Sequence, residues 1–269
     1  MNLFHAVVLG IIQGLTEFIP VSSTAHLLIT LKLFNIQQLS DDAMFSFLVI
    51  VQLGTLVSLF AFYWKDLLLI ARSTLNFQRA TPERNLGFYI IIATIPALLA
   101  GYLLKDAVEA LFRQPMLEAS IRLFAAAILL SLAEWVSRKN RRLGSMTWLD
   151  ALVIGLMQII AVFPGASRSG TTISGGMFRG FDRPSAARFS FLMSVPVMLA
   201  AGGYEMLDVL QMPDLGAFLP LLATGFVTAA VTGWFAIQWL IRFLGKHSLY
   251  IFAAYCAVVG FILLIVQVF

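Results

Sequence analysis

Apolar residues run almost unbroken along this chain, and polar ones fall into short windows between and within the runs. A helix needs about 20 consecutive apolar residues to cross the ~30 Å hydrocarbon core of a bilayer. Six segments satisfy this, 43–64, 86–104, 119–137, 185–209, 216–242 and 248–268, and each predicts a transmembrane helix. Two further stretches, 2–35 and 147–180, are apolar but broken midway. The first is interrupted by Glu17, Pro20, Ser22, Ser23, Thr24 and His26, with Gln13 one turn earlier; the second by Pro164, Gly165, Ser167, Arg168, Ser169 and Gly170, with Gln158 before them. Each break leaves two pieces too short to span. Non-helical backbone at membrane depth is tolerated only where protein buries it or it lines a wet cavity. Both stretches therefore predict re-entrant helix–loop–helix hairpins. Residues 65–79, with Lys65, Asp66, Arg72 and Arg79 among Leu and Ile, predict an amphipathic helix lying on the membrane surface.

Composition agrees. Hydrophobic residues make up 60% of the 269 and charged residues 12%, against about 25% charged in soluble domains. The fold class is all-α and integral to the membrane. A disordered chain, a nucleic-acid binder and a disulfide scaffold are excluded, the last because Cys256 is the single cysteine. The N-terminus lacks the basic region of a cleavable signal peptide, and its apolar stretch carries Gln13 and Glu17. Of the 18 Lys and Arg, thirteen fall in the four segments 65–85, 138–146, 179–188 and 242–247. The other side holds only Lys32, Lys105, Arg113 and Arg122, and Arg168 lies inside the second hairpin. Basic loops stay cytoplasmic, so both termini are expected outside, with the first hairpin entering from outside and the second from the cytoplasm.

The chain also repeats. Gly10-Ile11-Ile12-Gln13 matches Gly155-Leu156-Met157-Gln158 at an offset of 145. Pro20 and Ser23 match Pro164 and Ser167 at 144, and Phe45-Ser46-Phe47-Leu48 matches Phe189-Ser190-Phe191-Leu192, again at 144. Each half, 1–144 and 145–269, contains one hairpin and three spans. Three is odd, so the halves insert with opposite orientation. An inverted-topology repeat sets broken helices around a midplane site and is expected to bring Ser23 and Ser167 together.

Ionisable groups at that depth are costly and usually functional. Gln13 and Glu17 share a helix face. Ser22-Ser23-Thr24 is a good N-cap, with His26 in the first turn that follows. In the second hairpin, hydroxyl-bearing residues surround one Arg at a helix start. Loop N–H groups, the helix dipole and the guanidinium can converge there on phosphate oxygens. Ser22, Thr24, Ser167, Ser169 and Thr171 are expected to join Arg168 around a phosphate. The chemistry suggested is phosphoryl transfer, with Ser23 beside His26 as an activated nucleophile and Arg168 offsetting charge. Glu17 would act as a base or hold a divalent cation, since one or two carboxylates plus substrate phosphates make a typical Mg²⁺ site. A bland alternative is a structural Glu17–Arg168 ion pair.

The two motifs, Gln13-Gly14-Leu15-Thr16-Glu17-Phe18-Ile19-Pro20-Val21-Ser22-Ser23-Thr24-Ala25-His26 and Pro164-Gly165-Ala166-Ser167-Arg168-Ser169-Gly170, resemble those of the bacitracin-resistance family of undecaprenyl-diphosphate phosphatases. The likeness extends to length, span count and repeat. It implies hydrolysis of the C55 polyprenyl diphosphate to the monophosphate carrier and inorganic phosphate, assisted by Mg²⁺ or Ca²⁺. That reaction recycles the carrier for peptidoglycan synthesis in the bacterial plasma (inner) membrane and confers bacitracin resistance. By the same resemblance Ser23 is a candidate nucleophile, His26 a catalytic acid or base, Glu17 a metal or acid/base residue and Arg168 a phosphate ligand. Many members carry Glu where this chain has Gln13, which makes Gln13 the weaker metal ligand and places more weight on Glu17. The expected partners are the lipid diphosphate and the bilayer, with room for a homodimer and no nucleic acid. Membrane acid phosphatases do not fit, because no His follows Arg168 before His247. A lipid-phosphate flippase using the same midplane site is the alternative function, since broken helices in inverted repeats also serve transport.

Overall fold

The computed structural model describes residues 1–36, 41–76, 81–104, 115–162, 167–211 and 215–268. Ten α-helices occur among them: α1 (Leu3–Phe18), α2 (Ser23–Leu33), α3 (Asp41–Leu75), α4 (Pro82–Leu103), α5 (Pro115–Val136), α6 (Trp148–Ile159), α7 (Arg168–Phe178), α8 (Arg183–Leu210), α9 (Leu215–Leu244) and α10 (Tyr250–Val268). Short 3₁₀ turns cover Leu143–Ser145 and Ile160–Val162. Among the described residues the only β pairing is one isolated bridge, Arg141 with Phe181. Pro164, Gly165 and Ala166 of the second motif, and the basic residues Lys105, Arg113 and Arg79, lie outside the described residues.

Helix starts follow local chemistry. The side chains of Asn2, Ser22, Thr81 and Ser167 each accept a backbone N–H as N-caps of α1, α2, α4 and α7. Thr147 and Asp150 form a reciprocal capping box on α6, so two otherwise orphan donors are satisfied at once. Five helices are long and apolar enough to cross a membrane: α3, α4, α5, α8 and α9. The described apolar part of α10, Tyr250–Ile265, is shorter. The protein is therefore a multi-pass, all-helical membrane protein. The 16 residues of α1 and 12 of α6, at 1.5 Å per residue, reach only about 24 and 18 Å, short of the ~30 Å core. Residues 65–76 of the expected amphipathic segment 65–79 are described. Their helix runs to Leu75 and is set off from the span of α3 by non-helical backbone at Tyr63 (φ −104°, ψ 15°).

Packing pairs the halves crosswise. α1 lies on α9 and α6 on α4; α3 lies on α9 and α8 on α4; α3 packs against α8, and α5 against α10. Matched glycines account for two of these approaches. A Cβ at Gly10 would sit 2.7 Å from the Gly225 carbonyl oxygen on α9, and one at Gly155 would sit 2.5 Å from the Ala93 carbonyl oxygen on α4. Small residues let membrane helices approach until backbones touch, and here the same position does so in both halves.

The segments expected to be cytoplasmic meet at one end of the bundle. Arg141 bridges Asp150 and the Arg179 carbonyl, and its guanidinium lies 4.5 Å from the Phe181 ring centroid. Arg188 pairs with Asp66 at 3.0 Å. Glu134 binds Lys139 at 2.7 Å, Arg183, and the backbone N–H of Leu249. Burial alone would raise the Asp150 carboxyl, but hydrogen bonds from Arg141, Arg179 and Thr147 outweigh it and hold the group well below the usual carboxylate range.

Candidate active site

The turn of the first hairpin meets the start of α7 in the interior. Gly170 of α7 approaches Pro20, and the Ser169 hydroxyl donates to the Ile19 carbonyl at 3.4 Å. Glu17, on the last turn of α1, is the hub. Its Oε2 accepts from the Gln13 amide at 2.9 Å and from the Ser23 hydroxyl at 2.8 Å. Its Oε1 accepts from an Arg168 guanidinium nitrogen at 2.6 Å. The Glu17 side chain is 9% exposed and that of Arg168 17%. Gln13 and Glu17 meet because they are four apart on a helix; Glu17 and Arg168, 151 residues apart, meet only through the fold.

The caps revise the register between the halves. Ser22, not Ser23, caps α2, and Ser167 caps α7. By helical role Ser22 corresponds to Ser167, an offset of 145, and Ser23 corresponds to Arg168, each the first residue of its helix. Ser23 and Arg168, the residue after Ser167, converge on one carboxylate. Side chains at the first helical position project past the cap toward the open end of the helix, and the two helix starts face Glu17 from different halves.

The other expected ligands divide. Ser22 and Ser167 spend a hydroxyl oxygen on the N–H groups of Ala25 and Gly170, and Ser167 also contacts the Ser169 hydroxyl at 3.2 Å. The Thr171 hydroxyl donates to the Arg168 carbonyl at 2.9 Å. Thr24 is half-buried in the first turn of α2. The expected Ser23–His26 pair is not hydrogen-bonded: Ser23 donates to Glu17, while His26 Nδ1 lies 2.8 Å from the Ser22 carbonyl and Nε2 2.7 Å from the Tyr255 hydroxyl. The backbone at Ser22 turns through φ 69°, ψ 96°, which aims that carbonyl back at the ring.

Across this chain a family model described as "Bacitracin resistance protein BacA" matches residues 6–262. The chain belongs to that family. Its curated relatives include proteins named undecaprenyl-diphosphatase from Mycobacterium marinum, 38% identical over 98% of this chain and 94% of the relative. Others carrying the name come from Thermomicrobium roseum, 39% identical over 100% and 99%, and from Anaeromyxobacter sp. strain K, 41% identical over 97% and 90%.

Two residues that the sequence reading did not single out lie beside this cluster. Tyr255 holds His26; nothing in the motifs points to it, because it lies 229 residues away. Ser190 meets the Thr172 hydroxyl behind α7, and the matched Phe-Ser-Phe-Leu block that contains it was its only signal. Gln158, which the repeat matches to Gln13, is 1% exposed, and among the described residues neither its amide nitrogen nor its oxygen has a hydrogen-bond partner.

Among the described residues no group of three His, Cys, Asp or Glu could hold a metal ion. The donor set therefore fits a hard cation only in company with substrate oxygens: one carboxylate, Glu17, and one amide, Gln13, bonded to each other at 2.9 Å. That composition suits Mg²⁺ or Ca²⁺, which take oxygen ligands from few carboxylates plus phosphates.

Proposed function

We propose that this protein hydrolyses undecaprenyl diphosphate to undecaprenyl phosphate and inorganic phosphate, recycling the carrier lipid for peptidoglycan synthesis and conferring bacitracin resistance. The carrying observation is the convergence of Ser23 and Arg168, from opposite halves, on Glu17 at 2.8 and 2.6 Å. A general base must lie within hydrogen-bond reach of the proton it removes, and Glu17 does so for Ser23. The Arg168 guanidinium, drawn from Glu17 by the incoming phosphate, offsets charge on the transferring group. Ser23 Oγ attacks the terminal phosphorus while its proton passes to Glu17. The bond from that phosphorus to the bridging oxygen breaks, and undecaprenyl phosphate leaves. Water then attacks the phosphoserine, giving its proton to His26; the bond to Ser23 Oγ breaks, Oγ recovers the proton from Glu17, and inorganic phosphate leaves. Glu17, with the Gln13 amide oxygen as a lesser ligand, would hold Mg²⁺ or Ca²⁺ together with the diphosphate. When bound, the cation neutralises phosphate charge.

The same proposal sets six spans and two re-entrant hairpins in the bacterial inner membrane as an inverted repeat of 1–144 and 145–269, with both termini outside. The crosswise packing of α1 on α9 and α6 on α4, and the shortness of α1 and α6, support it. Cysteines placed at exposed Arg142 and Lys32, in a chain whose native Cys256 is buried, should label from the cytoplasm and from outside respectively; the reverse pattern overturns the orientation. The flippase alternative shares the broken helices, but the relatives are named for hydrolysis, and a serine hydroxyl held on a carboxylate serves bond-making.

The deciding experiment is metal-dependent phosphate release from undecaprenyl diphosphate by the purified protein. Ser23→Ala and Arg168→Ala should each lower it on the order of 10³-fold. Full release by either variant sinks the assignment. Acid quench during turnover should trap phosphoserine at Ser23, and its absence would shift the nucleophile to water.

A further inference from the structure

Tyr255 lies outside both motifs and in the last helix, yet it contacts the one imidazole of the site. Its hydroxyl is 2.7 Å from His26 Nε2, and the two rings lie nearly parallel, 10° apart, with centroids separated by 5.6 Å. On the opposite edge, Nδ1 lies 2.8 Å from the Ser22 carbonyl oxygen. A carbonyl only accepts, so in the neutral ring Nδ1 carries the hydrogen and donates it. Nε2 then holds the lone pair, and Tyr255 donates its O–H to it. The Ser22 carbonyl is aimed at the ring by a backbone with φ 69°, in a region that residues with a Cβ rarely adopt. Two contacts from different parts of the chain thus fix one tautomer and one ring plane. His26 is 9% exposed and Tyr255 45%, so the phenol is the member of the pair with an open face, and Nε2 is reached past it.

We propose that Tyr255 is a positioning residue of this site: its hydroxyl fixes the His26 ring plane and keeps the hydrogen on Nδ1, and when the attacking water displaces the donated Tyr255 O–H from Nε2, the freed lone pair is already aimed to take up the water proton. This rests on the hydrolytic reading of Ser23, Glu17, His26 and Arg168. Tyr255 acts through His26. Ser23 is already served by Glu17, so the Tyr255 contact bears on the second step, dephosphorylation of the serine, rather than on the attack that forms it.

Tyr255→Phe removes the hydroxyl and keeps the ring. With full-length protein in nanodiscs and undecaprenyl diphosphate as substrate, kcat should fall about tenfold, the worth of one well-placed hydrogen bond, with KM within about twofold. Phosphoserine trapped by quench should rise in the same variant. In a His26→Ala background, Tyr255→Phe should cost nothing further. Selective ¹⁵N-histidine NMR resolves three imidazoles in this chain, and the His26 signals are those lost in His26→Ala. In Tyr255→Phe the Nε2 resonance should move toward that of an unbonded lone pair while Nδ1 stays protonated. Wild-type kcat in Tyr255→Phe, an equal loss in the His26→Ala background, or an unmoved Nε2 resonance would each overturn the proposal. The spectrum needs no turnover, so the failures read out separately. Full release by Ser23→Ala overturns the hydrolytic reading, whereas an unchanged Nε2 signal overturns the role of Tyr255 whatever the activity.

Discussion

Leu3–Leu33 and Trp148–Phe178 each contain two short α-helices in succession, with a Ser capping the second helix and a glycine seated against a neighbour's backbone. Their chemistry is opposite. The first hairpin carries the proton-handling groups, Glu17, Ser23 and His26, and satisfies its glutamine on Glu17. The second carries a cation, Arg168, among small hydroxyl residues, and Gln158 has no side-chain partner among the described residues. Its own acid, Asp150, sits at the far end of the hairpin, tied to Arg141 and Arg179. In the proposed reaction the first hairpin would supply the base and nucleophile and the second the phosphate-binding charge. Ser23 and Arg168 come together only where the two segments meet, on Glu17.

The sharpest way to break that division is Glu17→Gln. It keeps the shape and removes the base, and turnover should fall on the order of 10²–10⁴-fold; retention of a tenth of wild-type turnover would mean that proton transfer does not belong to the first hairpin. Asp150→Asn should divide the hairpins differently, by stability rather than chemistry. Asp150 is fully buried, while its arginine partners are 28% and 34% exposed and can rehydrate, so the loss should be about 2–4 kcal/mol, toward the low end for a broken buried pair. It should appear as a lowered unfolding midpoint with turnover per folded molecule unchanged. Because the folded carboxyl is held below its ordinary value, its contribution is fully present above the unfolded pKa of about 3.9 and is lost as pH falls through the folded value. The gap between wild type and Asp150→Asn should thus be constant from about pH 7 to about pH 5 and close only in stronger acid.

Gln13→Leu and Gln158→Leu test the unequal glutamines. The first should destabilise by about 1–3 kcal/mol, because it strips a donor from a buried carboxylate. The second should be neutral or stabilising by about 1 kcal/mol, because an unpartnered buried amide is removed. A loss of turnover without loss of stability in Gln158→Leu would instead place that amide against substrate. The smallest expected effects are the caps: Ser22→Ala and Ser167→Ala should each cost about 1 kcal/mol, and a clearly larger loss for one would show that its hairpin turn depends on more than the cap.

Much of this was legible beforehand. The six apolar runs and two broken ones became helices within a few residues of their expected ends, because burial in lipid is an additive property of local composition. Asn2, Thr81, Thr147 and the two serine caps obey rules confined to four residues. Where the structure adds to the reading, the cause is shared. The kink at Tyr63, the one-residue shift in cap register between the two hairpins and the partner of the Ser23 hydroxyl all depend on backbone angles and neighbours that no local pattern encodes. A serine three residues from a histidine suggests a pair. The φ 69° turn at Ser22 takes the imidazole to a carbonyl and a distant phenol instead.

By itself the sequence determined a membrane protein of apolar helices with two interrupted hairpins, a duplicated plan, and a short roster of ionisable groups at depth. These follow from hydropathy, chain periodicity and the cost of burying charge, each of which is summed along the chain. Only the tertiary structure decided how those groups are paired. Glu17 meets Arg168 across 151 residues, and His26 meets Tyr255 across 229. Such hydrogen bonds form within about 3 Å and fail beyond it, a precision set by how whole helices pack rather than by the residues beside them.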